Sequence, residues 1–131
     1  MKQKVNNDLV IYMVIKYGTT RVCFLIGNYC IKLPCFKWQW THGLLGLINN
    51  TNEYKWSKLK NKNLAKCYFK SWGGFVLIME RCRMLNNTEW NTINYNKFIT
   101  ESMDIGNLPI ENKKDSFGIT KNGKIVAIDY H

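Results

Sequence analysis

A lysine in the middle of one apolar strand and an aspartate at the tip of another are the residues whose placement most suggests chemistry. Lys32 sits between Ile31 and Leu33 in the run from Tyr29 to Pro34, and Asp129 follows Ile125-Val126-Ala127-Ile128. An ammonium group on such a strand must reach water or a carboxylate, because a buried unpaired charge is too costly to keep. Glu53 and Asp129 are the carboxylates that could meet it; the alternative is a Lys32 that points to solvent, as most lysines do. In its plainest form Asp129 caps a hairpin or pairs with Lys32 to close the sheet, a partly buried ion pair whose net value is near zero.

Two other groupings bear on chemistry. Cys30, Cys35 and His42 lie close together in sequence, but they lack a C-x-x-C knuckle and a fourth ligand, so zinc is not expected. The five cysteines are odd in number and stand in apolar contexts, which points to free thiols in a reducing compartment. From Lys55 to Lys70 the chain carries six lysines, no acid, and Trp56, Tyr68 and Phe69 between them. Lys55, Lys58, Lys60, Lys62 and Lys66 could neutralise phosphates while an exposed Trp56 stacks on a base. The competing reading is a solvated lysine face over aromatics that belong to the core.

These residues need elements to position them, and 131 residues with 46% apolar composition can build one core and one domain, spanning residues 1–131. Leu9–Tyr17 is β-branched and aromatic, Arg21–Ile26 resumes after a break, and Gly27-Asn28 turns the chain into Tyr29–Pro34. Leu44, Leu47, Ile48, Tyr54 and Leu59 then recur at helical spacing with Thr41 as a cap, predicting one bent helix or two short ones. Residues 65–70 and 75–82, joined by a turn at Ser71-Trp72-Gly73-Gly74, read as two more strands. A helix over 88–106 and a hairpin turning at Asn122-Gly123 complete the chain. The expected fold is α+β: a five-stranded antiparallel sheet with an inserted helix, then a second helix and a C-terminal hairpin. Trp72, Trp90, Met79, Met84 and Met103 are expected in the core. No apolar run is long enough to cross a bilayer and the start lacks a signal-peptide pattern, so a soluble cytoplasmic protein is expected.

The order of these parts resembles the protein-kinase and aminoglycoside-phosphotransferase-like fold. Tyr29-Cys30-Ile31-Lys32 resembles its V-A-I-K strand, Val76-Leu77-Ile78-Met79-Glu80-Arg81-Cys82 its hinge, and the stretch from Ser116 to His131 its hairpin ending I-D-F-G. The resemblance covers roughly residues 9–131 and implies a kinase N-lobe-like sheet with a minimal C-lobe. It implies that Lys32 would hold phosphates and pair with Glu53, that Met79 to Cys82 would face an adenine, and that Asp129 would bind magnesium.

The chain also departs from that pattern. Glu111 stands at the position of the catalytic aspartate, Ser116 at that of the second-metal asparagine, and His131 replaces the glycine after the aspartate. Lys16 to Phe24 holds a single glycine where the family has several. The chain stops where the substrate-binding lobe of the family would begin, so a miniature, non-catalytic kinase-like protein of phage or viral type is expected. Its expected partner is a host or viral protein, bound in the cytoplasm, of the infected host if viral, with no membrane and no cofactor. The net charge of +10 favours anionic partners, although a Lys, Asn and Ile excess is also what an AT-rich coding sequence produces. The alternatives are a basic nucleic-acid-binding protein and a magnesium-ATP-binding phosphotransferase using Lys32 and Asp129.

Overall fold

The computed structural model describes residues 2–5, 9–100 and 107–131. The first four strands are β1 (Lys2–Val5), β2 (Leu9–Tyr17), β3 (Arg21–Ile26) and β4 (Tyr29–Pro34). They are followed by α1 (Trp40–Ser57), β5 (Cys67–Lys70) and β6 (Leu77–Glu80). These strands form an antiparallel sheet in the order β1-β2-β3-β4-β6-β5. The five expected strands are all present; β1 is a sixth, which its polar sequence did not announce. β3 and β4 are joined across Gly27 and Asn28, with Ile26 opposite Tyr29, as the turn residues predicted.

The chain then crosses to a second sheet. β7 (Arg83–Met84), α2 (Asn87–Asn91), α3 (Tyr95–Thr100), β8 (Phe117–Ile119) and β9 (Ile125–Ala127) complete it, with strand order β7-β8-β9. The expected strand over 75–82 is shorter than predicted, and a further short strand, β7, begins just beyond it. Leu77–Glu80 pairs with β4, whereas Arg83 pairs with Ile119 of β8. The expected single helix over 88–106 is two pieces. Asn86 caps α2: its side chain accepts from the Glu89 N–H, and the Glu89 carboxylate accepts from the Asn86 N–H. α2 then ends at Asn91, and Met103 lies outside the described residues. The last hairpin turns where Asn-Gly predicted, with Gly123 at φ 84, a conformation that glycine adopts without strain.

One apolar cluster runs beneath both sheets, with Leu77, Met79, Phe117, Ala127 and Tyr130 at its fully buried centre. Phe98 meets the Phe117 ring edge-on with centroids 5.1 Å apart, and Trp90 lies 5.6 Å from it. Trp90 and Met79 thus belong to the core as expected. Trp72 does not: it sits on a tight 3-10 turn (Trp72–Gly74) and is 89% exposed, and Met84 on the short β7 is exposed as well.

α1 is one helix, and it departs most from the pattern in the sequence. Its buried residues are Gly43, Gly46, Asn50 and Glu53, while Leu44, Ile48 and Leu59 are exposed. Thr41 lies inside the helix and Gln39 is its cap residue, without a side-chain capping bond. The face turned to the sheet is the one with no side chain at Gly43 and Gly46 and with polar groups at Asn50 and Glu53. Close backbone approach and charge pairing decide the orientation, and Leu44 and Ile48 are left outward while Tyr54 packs against the core. Among the described residues no helix is long and apolar enough to cross a membrane.

Candidate functional site

Four charged side chains from four parts of the chain meet beneath the sheet. β3 contributes Arg21 at its first position, β4 contributes Lys32, α1 contributes Glu53, and the segment after β9 contributes Asp129. Glu53 is fully buried, and Arg21 and Lys32 are 6% and 5% exposed. Glu53 Oε1 receives both Arg21 Nη1 at 2.5 Å and Lys32 Nζ at 2.8 Å. Its other oxygen accepts the backbone N–H of Tyr130 at 2.7 Å. Arg21 Nη2 reaches Asp129 Oδ1 at 2.7 Å, and His131 Nε2 lies 3.3 Å from the same oxygen. Lys32 Nζ also donates to the Ile128 carbonyl at 2.7 Å.

Asn50 completes the arrangement from the neighbouring turn of α1. Its Oδ1 accepts from Arg21 Nη1 at 3.0 Å, and its Nδ2 donates to the carbonyls of Lys32 and Gly74 at 3.0 and 2.8 Å. Every polar atom of this buried amide thus has a partner, the condition under which a buried polar network rigidifies a fold. The Tyr130 hydroxyl donates to the Ala65 carbonyl at 2.6 Å, and backbone bonds link Ala65 and Asn63 to Ala127. The last residues of the chain are thereby fixed against α1 and the strand region after it, and Asp129 is delivered to the cluster.

Burial is the largest single influence on both cations and opposes their charge, but the attractions of Glu53, Asp129 and Cys23 together outweigh it, and both are held above their ordinary pKa values. Burial also acts to raise the Asp129 carboxyl, but the His131 bond and the Lys32 and Arg21 charges win, so it lies well below the usual carboxylate range. A depressed folded value means a contribution present above the unfolded pKa, near pH 4, that is lost as pH falls toward the folded value. Acid unfolding followed by circular dichroism should accordingly show a steeper loss of stability below about pH 4 for wild type than for Asp129→Asn. Parallel curves for the two proteins would remove Asp129 from the network.

Arg21, Lys32 and Asp129 of the cluster line a cleft of ≈ 600 Å³, together with Met79, Cys82, Glu111 and Asp115, while Glu53 and Asn50 lie buried away from it. Of the residues singled out from sequence, Lys32, Glu53 and Asp129 thus converge, and Met79 and Cys82 border the same cleft. Cys23 and Cys30 line it too, and the Cys23 thiol, beside that of Cys30 and close to Lys32 and Arg21, has its pKa lowered. Lys55, Lys58, Lys60, Lys62 and Lys66 are exposed, as a solvated face requires. Trp56 is not a free platform: it is half-buried and packs against the core. All five cysteines are free thiols.

Arg21 and Asn50 were not singled out by sequence reasoning. Arg21 offered one signal, being one of three arginines in a lysine-rich chain and lying on a strand; a guanidinium can bridge two carboxylates, which an ammonium does less well. Asn50 stands three residues before Glu53, on the same helical face.

The donor set was tested against the magnesium expected at Asp129. The Asp129 oxygen is held by a guanidinium at 2.7 Å, and among the described residues no three His, Cys, Asp or Glu side chains are grouped as a metal requires. The residues present therefore do not fit a divalent cation, and the arrangement is an internally neutralised staple between two sheets and a helix. Compared with protein-family models, curated proteins and solved structures, the chain matches none of them.

Proposed function

We propose that this chain is a non-catalytic, kinase-like interaction protein of phage or viral type, whose partner is a host or viral protein met in the cytoplasm. The kinase-like half of the reading is supported by a strand lysine and a late aspartate lining one cleft with Met79 and Cys82, the lysine being paired with a buried helix glutamate. The observation that carries the non-catalytic half is the Arg21 guanidinium, which bridges Glu53 and Asp129. A carboxylate neutralised from inside the protein is not available to neutralise a phosphate-bound cation, and phosphoryl transfer depends on such charge stabilisation.

The outward face of α1 supports a protein partner. Trp40, Leu44 and Ile48 recur at intervals of four residues and are 67%, 42% and 52% exposed, with Leu45 beside them. Apolar side chains grouped this way on a monomer mark an interaction surface. From Cys35 to Met79 the only acid is the buried Glu53, against seven lysines at 37, 55, 58, 60, 62, 66 and 70. The complementary partner surface is apolar at its centre and acidic at its rim; a second copy of this basic face would be repelled.

Thermal-shift titration with millimolar ATP, with and without magnesium, tests the non-catalytic reading. No magnesium-dependent rise in Tm is expected, because a ligand that binds only the folded state must stabilise it. A rise that Asp129→Asn abolishes would overturn the reading and favour the phosphotransferase. The docking face is tested with Leu44→Asp/Ile48→Asp, which should keep the wild-type Tm while losing the crosslinked adducts that wild type forms in producing cells.

A further inference from the structure

We propose that a second cleft, beyond the C-terminal end of α1, binds single-stranded nucleic acid. It encloses ≈ 760 Å³ and is lined by Lys58, Lys60, Lys66 and Lys124, with Tyr68 on its wall. This site is separate from the apolar face of α1 and from the Arg21 cluster, and it does not depend on either of them.

Charge is the first argument. Among the described residues the single acid lining the cleft is Glu80, whose Oε1 accepts the Lys66 backbone N–H at 2.9 Å. Among the described residues, none of the four ammonium groups forms an ion pair with a carboxylate. Lys58 Nζ rests 4.8 Å from the centroid of the Tyr54 ring, and Lys124 Nζ donates to the Lys62 carbonyl; neither contact cancels the charge. The lysines reach the cleft from three separate stretches of chain, at 58–60, 66 and 124, which suits a chain of phosphates better than one.

Compositional bias would account for lysines on any surface, but it does not account for the backbone at Lys60. Lys60 has φ 54, the left-handed conformation, and is the one non-glycine residue among those described with positive φ. Its N–H bonds the Ser57 carbonyl at 3.1 Å, in the turn that follows α1. Glycine takes this conformation without strain and asparagine tolerates it best among the others, and this chain uses asparagine freely. A lysine kept at a cost in backbone energy, on the wall of a basic cleft, is the mark of a side chain retained for binding.

Tyr68 supplies the second half of the chemistry. It is 54% exposed and its ring is held edge-on by Tyr29, with centroids 5.8 Å apart, so it is an ordered aromatic surface open to solvent. A base can stack on such a ring only when it is not already stacked and paired in a duplex, which selects single strands.

The experiment is fluorescence anisotropy with fluorescein-labelled (dT)20 on the intact protein at 50 and 200 mM salt, with a 20-base-pair duplex and polyglutamate as competitors. The strand should bind and weaken with salt, and neither competitor should displace it at equal charge concentration. Lys60→Gly should weaken binding by at least threefold while its Tm equals or exceeds that of wild type, a pairing that a structural role cannot produce. Tyr68→Ala should weaken binding by about tenfold, the loss of one stacked base. Lys97→Ala, on exposed α3, should leave affinity unchanged. The proposal is overturned by no binding at 50 mM salt, by equal competition from polyglutamate or duplex, or by a Lys60→Gly affinity no lower than that of Lys97→Ala.

Discussion

Glu53→Ala should lower the unfolding free energy by about 3–5 kcal/mol, the cost of removing one partner from a buried charge pair. Glu53 is fully buried and its two oxygens serve Arg21, Lys32 and the Tyr130 N–H, so one substitution strands two buried cations and a buried backbone donor. A chain of this size has a total stability of only about 5–15 kcal/mol, so the variant sits close to its unfolding threshold. Urea denaturation followed by tryptophan fluorescence measures the loss. The network is held together by mutual neutralisation rather than by large net stabilisation, and a second variant separates these ideas. Replacing Arg21, Lys32 and Glu53 together by Met, Met and Leu should recover most of what Glu53→Ala loses, since apolar substitutes of similar volume are often neutral. Its Asn50 and Asp129 would still have lost Arg21 as a partner, so full recovery is not expected. A Glu53→Ala protein within about 1 kcal/mol of wild type would refute the placement of that carboxylate at the centre of the site.

Gly46→Ala should destabilise the protein by about 1–3 kcal/mol, although alanine is the better helix former. A Cβ at Gly46 would lie well inside contact distance of the Thr20 carbonyl oxygen and 2.9 Å from Pro34 Cα. Neither atom belongs to a flexible side chain that could swing away. The Thr20 carbonyl, moreover, accepts the Cys35 N–H at 2.8 Å, so moving it breaks a backbone bond. α1 must instead lift from β3 and β4, and with it go Asn50 and Glu53 on the same face. The propensity gain from glycine to alanine is at most about 1 kcal/mol, and the overpacking term exceeds it. Leu45→Ala on the exposed side of the same helix is the control and should stay within about 0.5 kcal/mol of wild type. A Gly46→Ala protein as stable as wild type would mean that α1 does not approach the sheet this closely.

The sequence by itself determined five strands of the larger sheet and the two hairpin turns. Alternation, β-branching and the pairs Gly27-Asn28 and Asn122-Gly123 are written in neighbouring residues, and backbone sterics act between neighbours. It also marked Lys32 and Asp129, because a charge within an apolar run needs a partner wherever the chain goes. Tertiary structure decided which partners they found. Arg21 meets Glu53 across 32 positions and Asp129 across 108, separations at which no local pattern carries information. The same topology set the inner face of α1. Helical periodicity pointed to Leu44 and Ile48, but the two glycines allowed contact with the sheet, and from this helix Asn50 and Glu53 are the residues that meet the cations on β3 and β4. That a second strand starts at Arg83, just past the expected strand over 75–82, followed from β8 lying beside it, which neither propensity nor hydropathy records. Local rules chose the elements, and the need to satisfy buried charge over long separations chose how they pack.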